Sequence, residues 1–170
     1  MQQDRKKAIE FRREQIWWIL LPLVMAVAVA VVMPAIERYQ QEGEQRRCLH
    51  NMRNLALWTL TYAADNEGML PTGPDWSGEI AEYVEDPDAL VCPAADPEGP
   101  AVSYVLNPNL RGQDVSGIEK PEEVVLIYEG NVGEVVERHD GGANYAFADG
   151  SVRWLETPPA SLTIADVNQP

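Results

Sequence analysis

Few side chains in this sequence are equipped for chemistry, and they fall in two groups. The first is the stretch ERHDGGANYAFADGSVRWLE, residues 137–156, which sets His139 beside Asp140 and, beyond a glycine pair, presents Asp149 on an Asp-Gly. The second is the cysteine pair, Cys48 and Cys92. A hydrolytic metal site needs several ligands on one ion and a position left open to water. The chain has two histidines, and His50 falls within a helical pattern away from His139. No Gly-x-Ser-x-Gly elbow, Walker loop or His-Glu-x-x-His occurs, so no catalytic residue is assigned and the chain reads as a non-enzyme. Calcium is a second use of the stretch: Asp140 and Asp149 are hard oxygen ligands, although such a site takes six or more oxygens. The third reading is a hairpin. Residues 144–148 and 151–155 are strand-like runs joined by Asp149-Gly150, a pair that accepts positive φ at both central positions of a type I′ turn. That turn would set Tyr145 and Phe147 against Val152 and Trp154 and leave His139 to pack around the turn, a structural role.

Around these residues the composition is uneven. The 170 residues carry a formal charge of −14, and residues 1–15 hold five basic against three acidic groups, so the remainder carries −16. A body that acidic lacks the basic patch that nucleic acid requires. The uncharged run Ile16–Ile36, IWWILLPLVMAVAVAVVMPAI, is apolar all round and long enough to cross a hydrocarbon core of roughly 30 Å as a helix. Trp17 and Trp18 suit the membrane–water boundary, and Pro22 and Pro34 are tolerated within a span. Basic residues precede the run, while acidic ones dilute those that follow. The expected topology is single-pass in a cell inner membrane, N-terminus cytoplasmic and C-terminal domain periplasmic or extracellular. A cleaved secretory signal is the rival, but Met33-Pro34-Ala35 is a poor cleavage site. On the oxidising side of the membrane, Cys48 and Cys92 read as a disulfide, closing a loop of about 45 residues at roughly 4 kcal/mol.

The helical pattern continues beyond the span. Cys48, Leu49, Met52, Leu55, Ala56, Thr59, Leu60, Tyr62 and Ala63 recur at steps of three and four, and Asn66-Glu67-Gly68 supplies stop chemistry. A short helix is expected from Ser77, with Ile80, Tyr83 and Val84 inward. AVSYVLN, EVVLIYEG, ANYAFA and SVRWLE read as four strands. The fold class is therefore α+β, a long N-terminal helix (transmembrane half plus amphipathic half) packed on a small antiparallel sheet. The divisions are a basic leader 1–15, the span 16–36, the amphipathic continuation 37–66, a β domain 67–156 and a tail 157–170. The acidic sheet is expected to be the exposed surface offered to partners.

This plan resembles type IV pilins and type II secretion pseudopilins. The stretch MPAIERYQQEGEQRRCLHNMRNLALWTLTYAADNEGMLP is similar to pseudopilin-like proteins whose span ends in Pro-Ala and is followed by a cysteine, an Asn-Leu helix and Tyr-Ala-x-Asp-Asn-x-Gly. VCPAAD resembles their Cys-Pro site. His139, nine intervening residues and Asp149-Gly150 resemble the C-terminal motif of the prepilin-type His-to-Asp-Gly family. The resemblance implies a pilin-like domain acting by assembly, with the membrane, other pseudopilin or secretion-system subunits and copies of itself as partners, and with no cofactor beyond the calcium already considered. Those families carry a glycine before the apolar start. Here Glu10 precedes Phe11, and no glycine occurs before Gly43. The alternative is a membrane-tethered binding module, for an ion or a glycan, that no longer assembles.

Overall fold

The structure, a computed structural model, describes residues 2–131 and 133–162, with the side chains of residues 2–15 and of residue 19 left out. The side chains of the basic leader and residues 163–170 of the tail thus lie outside the described residues. The chain divides into two units, residues 1–40 and 41–170.

Helix α1, Gln2–Asp65, runs through both prolines. In the first unit its apolar side chains are turned outward: Trp17 is 64% and Trp18 81% exposed, and Leu21, Val24, Met25, Val27 and Val31 are all exposed. One helix near the N-terminus is therefore long and apolar enough to cross a membrane, and none of its most apolar stretch is buried. An isolated helix with no polar face gains nothing by exposing its apolar side chains to water.

In the second unit, α1 switches to an amphipathic face. Cys48, Met52, Leu55, Ala56, Thr59 and Ala63 are buried at helical spacing, as the periodicity predicts, and Trp58 joins them. Burying a leucine or methionine side chain this fully contributes about 1.5–3 kcal/mol. The helix stops at Asp65, where Glu67 (φ 57°) and Gly68 (φ 87°) turn left-handed. The short helix α2, Trp76–Glu79, begins one residue earlier than expected. Asp75, not Ser77, caps it by accepting from the Gly78 N–H.

The sheet contains the four expected strands and one more. β1 is Tyr104–Leu106, β2 Val125–Asn131, β3 Glu134–Val135, β4 Ala143–Phe147 and β5 Val152–Leu155. The order is β1-β2-β4-β5, all antiparallel, with β3 paired to one end of β2. One face packs on α1 through Leu106, Leu126, Ile127 and Ala146. The opposite face is not the exposed acidic surface expected from sequence. It forms a second core of Val105, Val125, Tyr128, Tyr145 and Phe147, which includes Leu162 from the chain beyond β5. Continuous burial along β2 and β4 follows from this double covering, and it takes in one acidic side chain, Glu129.

The hairpin β4–β5 forms, but with a different turn. The Gly150 N–H donates to the Phe147 carbonyl at 2.9 Å and the Phe147 N–H to the Ser151 carbonyl at 2.8 Å, with Gly150 alone left-handed at φ 81°. This is a three-residue loop closed by a glycine bulge rather than a two-residue type I′ turn. Adding one residue flips the facing of β5. Tyr145 pairs with Arg153, whose guanidinium lies 3.7 Å over the Phe147 ring, while Val152 and Trp154 pair with Ala146 and Asn144 on the other face. The type I′ geometry occurs one turn earlier. Asp140 (φ 48°) and Gly141 (φ 72°) are both left-handed between His139 and Gly142, whose backbones exchange hydrogen bonds of 3.2 and 3.0 Å. The two ends of the His-to-Asp-Gly spacing thus bracket β4, each holding one of its turns.

Candidate functional site

The tight turn at Asp140-Gly141 does more than reverse the chain. It fixes the backbone of His139, whose carbonyl also accepts from the Trp154 indole N–H at 2.8 Å. Gly142 must be glycine for this. A Cβ there would lie 2.6 Å from the Leu155 carbonyl oxygen and 2.7 Å from the Trp154 ring. The imidazole does not pack around the Asp149-Gly150 turn as expected. It is driven into the core, 5% exposed, between the helix and the sheet.

There it meets three other groups. Cys48 comes from the buried face of α1, Cys92 from the loop before β1, and Glu129 from β2. The Glu129 side chain has no exposure at all. One ligating atom of each, the two sulfurs, an imidazole nitrogen and a carboxylate oxygen, lies within 4.8 Å of the others. His139 Nε2 stands 3.4 Å from Cys92 Sγ and 3.1 Å from Glu129 Oε1. Cys48 Sγ donates to the same Oε1 and is 3.1 Å from the Tyr104 hydroxyl. The second carboxylate oxygen of Glu129 accepts from the Asn144 N–H at 2.7 Å.

The two cysteines expected to form a disulfide are brought together here, unbridged. Both cysteines are free thiols, side by side and sharing their surroundings with an acid and a base. The neighbours set the charges. Burial pushes the Cys48 thiol up, and Cys92 and Glu129 add to the effect. The hydrogen bond from Cys48 pulls Cys92 down to about 6 against its own burial. Burial alone would depress His139, but its bonds to Cys92 and Glu129 raise it to about 9. Glu129 is likewise penalised by burial yet held below the usual carboxylate range by His139, Cys48 and the Asn144 N–H. Ionisable groups this deeply buried are costly to charge unless every charge is paired.

Cysteine, histidine and carboxylate also make up a nucleophilic triad, but the geometry is wrong for one. A triad places the nucleophile on one imidazole nitrogen and the carboxylate on the other. Here both Cys92 and Glu129 face the same atom, Nε2. The carboxylate cannot orient the ring for proton transfer from the sulfur, and the sulfur has no exposed side from which to attack.

The residues singled out for calcium lie elsewhere. Asp149 is committed to its own loop, where bonds from the Ser151 hydroxyl (2.6 Å) and N–H (2.8 Å) hold its carboxyl below the usual range despite partial desolvation. Asp140 is exposed at the tip of the type I′ turn. Among the described residues neither belongs to a group of three or more His, Cys, Asp or Glu ligands. His50 is exposed on α1 beside Asn54. Sequence reading missed Glu129 altogether. Its only signal was an acid at the end of the otherwise apolar run VVLIY, in phase with Ile127 on the helix-facing side.

No known protein family, curated protein or solved structure matches the chain.

Proposed function

We propose that the chain is a non-catalytic, pseudopilin-like component of a type II secretion or type IV pilus-like assembly. It is anchored through Ile16–Ile36, with the N-terminus cytoplasmic and the domain from residue 41 on the far side of the membrane. The carrying observation is the dual character of α1, which offers an exposed apolar stretch long enough to span a bilayer and, further along, the buried face that completes the sheet's core. An anchor that is also a structural member of the domain suits subunits that work by position rather than turnover. The buried placement of Cys92, His139 and Glu129 supports the non-catalytic reading, since no substrate could reach them.

The test is photo-crosslinking in native membranes, with the probe placed in turn at Leu57, Arg153 and Glu156, all exposed. An assembly component gives discrete adducts with itself or with other subunits that carry an N-terminal apolar helix. Uncrosslinked monomer from every position would overturn the proposal in favour of a solitary tethered module, the alternative to which Glu10 in place of the processing glycine points.

A further inference from the structure

The buried cluster has a use that neither assembly nor tethering explains. We infer that Cys48 Sγ, Cys92 Sγ, His139 Nε2 and Glu129 Oε1 form a closed, four-coordinate site for a zinc-class divalent ion, which fastens the helix, the Cys92 loop, β2 and the His139 turn together. This goes beyond the assembly reading and does not depend on it.

Convergence is the first argument. A tetrahedral centre with bonds of about 2.0–2.3 Å separates its ligand atoms by roughly 3.3–3.8 Å. The contacts at 3.1 and 3.4 Å already lie close to that spacing; the shorter Cys48–Glu129 contact must open and the widest pairs of the set, within 4.8 Å, must close to reach it. The shared atoms say the same. Nε2 faces both a sulfur and an oxygen, and Oε1 faces both a sulfur and a nitrogen. One proton on Nε2 cannot satisfy two neighbours at once, whereas one ion at the centre satisfies all four ligands.

The donor set then selects the ion. Two sulfurs and an imidazole are too soft for calcium or magnesium, which take six or more oxygens, and they suit zinc's preference for four N and S ligands with an occasional carboxylate. All four positions come from the protein and all four residues are buried, which marks a structural site with no place left for a substrate. Outer partners are in place as well. The Tyr104 hydroxyl lies against Cys48, the Asn144 N–H holds the second oxygen of Glu129, and the Trp154 indole fixes the backbone of His139. A disulfide needs none of these. It would consume the two sulfurs and leave a fully buried carboxylate with His139 and the Asn144 N–H as its partners. A cavity of about 90 Å³ lies against His139, lined also by Glu44 and Arg138.

The deciding experiment uses the full-length chain in detergent, purified without chelator and with thiols protected. Elemental mass spectrometry should find about one zinc per chain. Exchange for cobalt(II) should produce the intense visible bands of tetrahedral coordination together with thiolate-to-cobalt charge transfer in the near ultraviolet. Glu129→Gln keeps the size and the Asn144 contact and should weaken cobalt affinity at least tenfold while retaining the charge-transfer band; Cys48→Ser should diminish that band. Should Cys48→Ser fail to fold, the wild-type cobalt spectrum decides alone. No zinc and no cobalt spectrum from the wild type would overturn the inference. So would a Cys48–Cys92 disulfide in the native protein, or metal retained undiminished by both variants.

Discussion

Trp154→Phe tests how the His139 turn is held. The substitution removes the 2.8 Å hydrogen bond from the indole to the His139 carbonyl and part of the ring that lies over Gly142. A half-buried hydrogen bond is worth about 1 kcal/mol net, and the lost ring area about as much again. A loss of about 2 kcal/mol from a domain of this size lowers the melting temperature by roughly 6–12 °C. If His139 is a ligand, a second effect is superposed. Loosening its support weakens metal binding about 10- to 100-fold. By mass action this removes a further 1.4–2.7 kcal/mol or so when zinc is in excess. The expected pattern is therefore a deficit of about 2 kcal/mol in chelator that grows to about 3–5 kcal/mol in zinc. Full-length wild type and variant would be melted side by side in detergent by near-ultraviolet circular dichroism, under both conditions. A variant that melts like wild type in both would refute the supporting role of Trp154. A deficit equal in the two conditions would sever Trp154 from the metal.

Three further outcomes follow from other parts of the molecule. Gly141→Ala and Gly142→Ala should separate strain from clash. At φ +72° with open space around it, Gly141 costs about 1–2 kcal/mol when replaced, whereas the backbone contact at Gly142 forces the turn open and should cost more, as read from paired chemical denaturation curves. Leu55→Ala empties a fully buried position between α1 and the sheet and should cost about 2–5 kcal/mol in the same assay; a loss below 1 kcal/mol would mean that the helix is not the sheet's cover. Val27→Arg places a charge mid-span at a penalty of about 2.5–3.5 kcal/mol, and the carbonate-resistant membrane fraction should fall sharply. An unchanged fraction would argue against the span.

What the sequence determined by itself were the features written in local periodicity. A long run with no polar face and an apolar face repeating every three to four residues are both local patterns, so the long apolar helix and the buried residues Cys48, Met52, Leu55 and Ala56 were legible before any coordinates. The four strands were legible too, because β-branched and aromatic runs between turn residues have few other uses. Turn type was not. Asp-Gly occupies a bulged loop here, while the type I′ turn fell to Asp140-Gly141, and that one-residue difference reversed the facing of β5. The burial of both sheet faces was hidden as well, since Leu162 reaches the second core from beyond the last strand. The cluster of four was the least visible feature. Cys48, Cys92, Glu129 and His139 belong to a helix, a loop, a central strand and a tight turn, and the sequence separation between them carries no distance. Two cysteines in a sequence suggest a bridge, and that an acid and a base stand against them is set by tertiary packing alone. Only the fold decides that the sulfurs have other company, because only the fold withdraws Glu129 from water and requires it to find partners.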